Sequence, residues 1–206
     1  YKRQVKDVSC DLSAGTLYAL VGKSGSGKTT LLSLLAGLDT PQSGDIMVNG
    51  QSLREIDVDI YRRKQASVIY QSYNLFPLMT VCENVMYPLK LLRHSDADAK
   101  KEAQIALEKV GLGESYWKRL PAMLSGGEQQ RVAIARTLAV HAQIVLADEP
   151  TGNLDTENSS QIIQLLSKLA HEETCCVVVV THDLEVAKAA DVVFRMDSGR
   201  IKEDAV

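Results

Sequence analysis

The chain has no long apolar run. Its most hydrophobic stretch, CCVVVV at 175–180, is far too short to cross a bilayer, so any hold on a membrane must come through a partner. It also lacks an excess of basic charge. A net charge of −3 argues against a large nucleic-acid footprint, which normally needs a basic face. Four cysteines, at 10, 82, 175 and 176, fall at no metal-ligand spacing. Cys175 and Cys176 sit side by side in a strand-like run, where neighbours point to opposite faces, so the four read as reduced core thiols of a cytosolic protein. The histidines do not cluster. No internal repeat, low-complexity linker or leader is visible, although a first residue of Tyr1 rather than Met suggests a trimmed N-terminus. What remains is an ordinary globular chain of 206 residues, 45% apolar, long enough to bury roughly 70% of its unfolded surface.

Texture along the chain alternates. TLYALV (16–21) reads as a buried strand, followed at once by a glycine-rich loop and an apolar helix over about 28–38. The segment 45–53 reads as a hairpin around Asn49-Gly50, and ASVIY (66–70) as another strand. From Thr80 to about Val140 the pattern is helical, with box-like starts at Thr80-x-x-Glu83 and Ser95-x-x-Asp98. The second of these helices would bury Ala99, Ala103, Ala106, Leu107 and Val110. Strand texture returns at 144–147, 177–180 and 192–196, with a helix over 156–171 between the first two. Strands alternating with helices imply an α/β fold, a parallel sheet interrupted by a helical insertion of roughly 60 residues.

GKSGSGKT, Gly22 to Thr29, fits G-x-x-x-x-G-K-[ST] in the strand–loop–helix context that the pattern demands. Its glycines let backbone N–H groups curl around a phosphate, and the helix start adds partial positive charge. Lys28 would reach the β- and γ-phosphates, and the Thr29 hydroxyl would ligate Mg²⁺. The chain therefore binds a nucleoside triphosphate. The other half of the site is IVLADEP (144–150): a buried strand carries Asp148 and Glu149 to its carboxyl edge. Asp148 would hold Mg²⁺ through its water shell, and Glu149 could polarise a water in line with the γ-phosphate.

With these come further motifs in order, and together they resemble the nucleotide-binding domain of an ABC ATPase over nearly the whole chain. Gly22–Thr29 matches Walker A, and Gln71 in IYQSYNLFP the Q-loop. LSGGEQQR (124–131) matches the signature, IVLADE Walker B, GNLD (152–155) the D-loop, and His182 in VVVVTHD the switch histidine. The resemblance implies a P-loop NTPase core with a mostly parallel sheet, a small antiparallel β part and an inserted helical sub-domain. It implies one domain, with about 1–79 and 141–206 as core and about 80–140 as the signature sub-domain.

The resemblance also implies ATP and Mg²⁺ as ligands, with Gly22, Lys23, Ser24, Gly25, Ser26, Gly27, Lys28, Thr29 and Thr30 on the nucleotide. Tyr1 is a candidate for stacking on adenine. Thr29, Gln71 and Asp148 would hold the metal, and Glu149, His182 and Lys28 would be catalytic, His182 sensing the γ-phosphate and supporting Glu149. Two copies would pack head to tail. Ser125, Gly126, Gly127 and Glu128 of one then close on the ATP of the other, with Asn153, Leu154 and Asp155 along the seam. A side chain at either signature glycine would hinder the γ-phosphate. There are departures from the family pattern: the edge strand before the adenine aromatic is missing, and Met123 stands where a polar residue is usual.

LADEPTGNLD with LSGGEQQR is similar to the branch serving lipoprotein release, macrolide or antimicrobial-peptide export, and cell-division signalling. That branch implies an ATPase on the inner face of the cell membrane, cytoplasmic and held there by a separate permease. A periplasmic or extracellular adaptor is a further candidate partner, and nucleic acid is not one. The dock would be a groove lined by Tyr73, Leu75, Phe76, Leu78 and Met79. The alternative within the branch is an ATPase that signals through a membrane partner without transport. A chromosome-structure ATPase is excluded because the segment 30–123 carries no sustained heptads and no basic stripe. A ribosome-associated translation factor normally carries two complete motif sets in one chain, and this sequence shows one.

Overall fold

The computed structural model describes residues 5–204. Along the chain come β1 (Thr16–Val21), α1 (Lys28–Leu35), the short strands β2 (Met47–Val48) and β3 (Gln51–Ser52), α2 (Val58–Lys64) and β4 (Ala66–Tyr70). Then follow α3 (Val81–Leu91), α4 (Asp96–Lys109), α5 (Glu114–Trp117), a 3₁₀ turn at Pro121–Met123 and α6 (Gly126–Ala139). The chain continues with β5 (Ile144–Asp148), α7 (Thr156–His171), β6 (Cys176–Thr181), α8 (Leu184–Ala189), β7 (Val192–Asp197) and β8 (Arg200–Asp204). The main sheet runs β4-β5-β6-β1-β7-β8, parallel except for β8, which turns back on β7.

Period-two alternation splits the sheet residues between two cores. Leu17, Val145, Ala147, Val177 and Val179 face α6, α7 and the helical insertion. Tyr18, Leu20, Leu146, Val178 and Val180 face α1. Burial on both faces is why these strands read as continuous apolar runs rather than alternating ones. Cys175 and Cys176 fall into opposite cores, as the strand period requires, while Cys10 is exposed and so is no core thiol. The first core continues without a break into α3, α4 and α6, and Ala99, Ala103, Ala106, Leu107 and Val110 of α4 and its C-cap are all buried in it.

Local chemistry sets the boundaries. Thr80 and Glu83 close a reciprocal capping box at the start of α3. Ser95 caps α4 by accepting from the Asp98 N–H, while its own hydroxyl donates to the Asp98 carboxylate at 2.6 Å. Helix α1 ends at Leu35, short of the expected 38. Gly37 at φ +65° reverses the chain, and the N–H groups of Gly37 and Leu38 return to the carbonyls of Leu34 and Ser33, a Schellman end that consumes the last carbonyls. Asn49-Gly50 (φ +50° and +79°) makes the tight β2–β3 turn, and Ser198-Gly199 does the same between β7 and β8.

Candidate active site at the carboxyl edge of the sheet

The sheet register gathers the motifs. Tyr70 pairs with Asp148, Asp148 with Val180, and Thr181 with Val21. Gln71, Asp148–Glu149, His182 and the loop that opens at Gly22 therefore leave neighbouring strands at one edge, in the spatial order β4, β5, β6, β1.

The loop is already shaped. Lys28 is buried, and its ammonium donates to the carbonyls of Gly22 (2.7 Å) and Lys23 (3.2 Å). Gly27 caps α1 at φ +111°, a conformation that side chains resist, and a Cβ at Gly22 would run into the Met196 carbonyl. Lys23, Ser24 and Gly25 are exposed at the tip, and Thr29 and Thr30 lie in the first turn of α1. The Ser26 hydroxyl is buried and has no partner among the described residues. An orphaned, buried hydroxyl in a glycine-rich loop suits an incoming phosphate oxygen.

Behind the loop, the Thr29 hydroxyl reaches Asp148 Oδ1 at 3.4 Å. Burial, and then the charge of Glu149, raise the Asp148 carboxyl above its ordinary value, against the Thr29 hydroxyl and Lys28, which lower it. This donor set is all oxygen, and among the described residues no cluster of three or more His, Cys, Asp or Glu could hold a metal unaided. It fits Mg²⁺, which keeps waters and takes phosphate oxygens rather than demanding an all-protein cage.

Glu149 follows at φ +47°, a strained value for a non-glycine residue. Its N–H bonds the Val180 carbonyl at 2.8 Å. Its carboxylate is held on both oxygens: His182 Nδ1 lies 2.9 Å from Oε1, and the Thr181 hydroxyl (3.2 Å) and the His182 N–H (3.3 Å) reach Oε2. The His182 ring itself is exposed. Thr181 was not foreseen; its only signal was its place between the strand and the histidine.

Gln71 lies past β4, and its amide donates to Asn153 Oδ1 (3.2 Å), while Asn153 donates back to the Gln71 carbonyl (3.3 Å). Leu154 packs on the main core, and the Asp155 carboxylate caps α7, accepting from the N–H and side-chain amide of Asn158, each at 2.8 Å. Tyr1 falls outside the described residues.

Ser125 is the N-cap of α6, closed reciprocally by Glu128. The N–H groups of Gly126 and Gly127 have no partner among the described residues, as the first turn of a helix leaves them. The glycines meet close neighbours in their own chain. A Cβ at Gly126 would stand 2.7 Å from the Tyr73 hydroxyl, and one at Gly127 would overlap the Asn158 side chain, 3.0 Å from its Cβ. Further along α6, Arg136 donates to the carbonyls of Tyr73 (2.7 Å) and Asn74 (2.8 Å), both at positive φ. Asn158 and Arg136 gave no motif-level signal.

A cleft of about 300 Å³ opens between α2, β4, α3 and α6, lined by Tyr70, Asn74, Phe76, Tyr87, Pro88 and Leu91 among others. Of the five residues expected to line a dock, only Phe76 lines this cleft. Leu75 packs on the main core and the Tyr73 hydroxyl is turned to Gly126, while Leu78 stands 90% exposed.

The family model for the ABC transporter matches residues 5–152. The chain belongs to the ABC transporter ATPase family. This ABC ATPase is 43% identical to the lipoprotein-releasing system ATP-binding protein LolD of Chromohalobacter salexigens, over 95% of this chain and 83% of LolD. It is 39% identical to the uncharacterized ABC transporter ATP-binding protein YclH of Bacillus subtilis, over 94% and 86%. Among solved structures it is similar to the ABC transporter cassette MJ0796 in dimeric form, at TM-score 0.88 and 37% identity, covering 98% of this chain and 90% of that one. The same cassette in a dimeric post-hydrolysis state bound to ADP and Pi superposes with TM-score 0.87 and 36% identity, over 98% and 90%. Among the described residues of this ABC ATPase, no helix is long and apolar enough to cross a membrane.

Proposed function

We propose that the chain is the ATP-hydrolysing subunit of a transporter that extracts or exports a lipoprotein, macrolide or antimicrobial peptide. Two copies would work head to tail on the inner face of the membrane, held by a separate permease. The relative named for lipoprotein release, the dimeric cassettes, and the similar cbiO1 of Clostridium perfringens, part of the complex cbiONQ (TM-score 0.87, 27% identity, 97% of this chain and 80% of that one), support this reading. The observation that carries the chemistry is Glu149, held at 2.9 Å by His182 beside the preformed loop.

On binding, Lys28 exchanges the carbonyls of Gly22 and Lys23 for β- and γ-phosphate oxygens, and Ser26 gains a partner. Thr29 and Asp148, with Gln71 as a third candidate, would hold Mg²⁺, which neutralises charge across the β- and γ-phosphates. Glu149 takes the proton of the attacking water as its oxygen bonds to the γ-phosphorus and the bridging P–O bond breaks. His182 keeps that carboxylate in place. Ser125 and the free N–H groups of Gly126 and Gly127 close on the partner's γ-phosphate, with Glu128 completing the cap behind them and Asn153–Asp155 along the seam. Residues 80–140 would form the signature sub-domain, and the rest the nucleotide core.

Glu149→Gln tests this reading. It keeps shape and nucleotide contacts but cannot take the proton, so hydrolysis falls by about 100-fold or more. ATP then accumulates a dimer on size-exclusion chromatography. Wild-type hydrolysis by this variant would remove Glu149 from the role.

A further inference from the structure

We propose that Asn153 is a positioning residue for the metal site: it occupies the amide nitrogen of Gln71 and so leaves the amide oxygen, the end that can bind Mg²⁺, free. This rests on reading Gln71 as a metal ligand and adds what prepares it for that role.

Hydrogen-bond chemistry allows one arrangement of the two amides. The Gln71 main-chain carbonyl can only accept, so it takes the Asn153 Nδ2–H at 3.3 Å. That leaves Asn153 Oδ1, which also can only accept, and it takes the Gln71 Nε2–H at 3.2 Å. Every other setting of the two amides puts oxygen against oxygen. No donor among the described residues reaches Gln71 Oε1. Mg²⁺ takes oxygen ligands, so only the setting that Asn153 enforces leaves Gln71 able to serve as one.

Asn153 can hold a neighbour because its own turn is anchored on both sides. Thr151 is buried and donates to Asp183 Oδ2 at 3.1 Å, and Leu154 packs on the main core. The N–H groups of Gly152 and Leu154 close the turn onto the carbonyls of Glu149 (3.1 Å) and Thr151 (3.0 Å). Gly152 completes the seat. It does not stand at positive φ, so the backbone there does not call for glycine. A Cβ would instead lie 2.8 Å from Gln71 Nε2 and 3.3 Å from its Cδ, so the Gln71 amide occupies the space that a side chain would fill. Outer partners that orient a metal ligand in this way are worth about 10- to 100-fold in metal affinity.

The experiment uses chains that all carry Ser125→Arg, which blocks sandwiching and so removes any effect through a second copy. Isothermal titration calorimetry measures ATP affinity with Mg²⁺ and with EDTA. The ratio of the two reads what the protein's own contacts to the metal contribute. Asn153→Leu, which keeps the shape but makes neither hydrogen bond, should lower the ratio about tenfold while the affinity in EDTA and the melting temperature stay at the parent's values. Gln71→Ala should lower the ratio at least as far, and Asn153→Leu added to Gln71→Ala should change nothing more. If Gln71→Ala leaves the ratio unchanged, Gln71 is no metal ligand and that reading fails. If Gln71→Ala lowers it and Asn153→Leu does not, Gln71 keeps its role and the inference about Asn153 fails. An equal effect of Asn153→Leu with and without Gln71, or an equal loss in EDTA, also overturns the inference.

Discussion

Gly127→Ala separates two reasons for a glycine in the signature. The added methyl group lands on the Asn158 side chain, 2.6 Å from its Cγ and 3.0 Å from its Cβ. Asn158 swings away only by giving up the hydrogen bond from its side-chain amide to the Asp155 carboxylate at 2.8 Å. Overpacking of this kind costs about 1–3 kcal/mol. Losing that hydrogen bond adds about 1 kcal/mol. The sum, about 2–4 kcal/mol, corresponds to a fall in melting temperature of roughly 4–16 °C for a chain of this size. The assay is thermal unfolding by circular dichroism of Gly127→Ala, Asn158→Ala and the double variant. Asn158→Ala alone forfeits one hydrogen bond, about 1 kcal/mol, and keeps the backbone cap. The double variant should lose only about 1–2 kcal/mol, well short of the sum, because the obstructing amide is gone. A recovered double variant that still fails to dimerise on ATP would show the second demand, an open face for the partner's phosphate. An unchanged melting temperature in Gly127→Ala, or equal losses in Gly127→Ala and the double variant, refutes the packing argument.

Mixing Lys28→Ala with Ser125→Arg tests the composite site: ATP-dependent cross-linking should appear only in the mixture, since it alone pairs an intact loop with an intact signature. Ser125 also caps α6, so Ser125→Arg should unfold about 1 kcal/mol more easily, which thermal unfolding reads. Burial pushes the Asp191 carboxyl up, but the Leu17 N–H and His171 outweigh it and hold it below its ordinary value. Its contribution is therefore present above the unfolded carboxylate pKa and is lost as pH falls through the folded one. Denaturation between about pH 5 and 3 should thus be steeper for wild type than for Asp191→Asn, and parallel curves would remove that bracket from acid stability.

Most of the sheet was legible because burial on both faces writes long apolar runs, and because Gly22–Thr29 and Asp148–Glu149 announce where two strands end. The helix over 156–171 and the Thr80–Glu83 box were equally plain, since caps and period are local. What escaped depended on distance along the chain. The end of α1 is the exception, since Gly37 at the C′ position is a local stop signal that the expected end at 38 overran. The groove residues belong to a loop, but Tyr73 lays its hydroxyl against Gly126 and Leu75 packs on the main core. Within the site, the partners missed, Thr181 and Asn158, act on Glu149 and Gly127 across 32 and 31 positions of sequence.

Helix α6 is pinned near both ends, at Gly127 against Asn158 and at Arg136 over the Tyr73–Asn74 turn. Tyr73, in the turn after Gln71, meets α6 twice, its carbonyl on Arg136 and its hydroxyl beside Gly126, two positions about three helical turns apart. The turn after Gln71 and the first turn of α6, whose glycine N–H groups have no partner among the described residues, therefore belong to one packed unit.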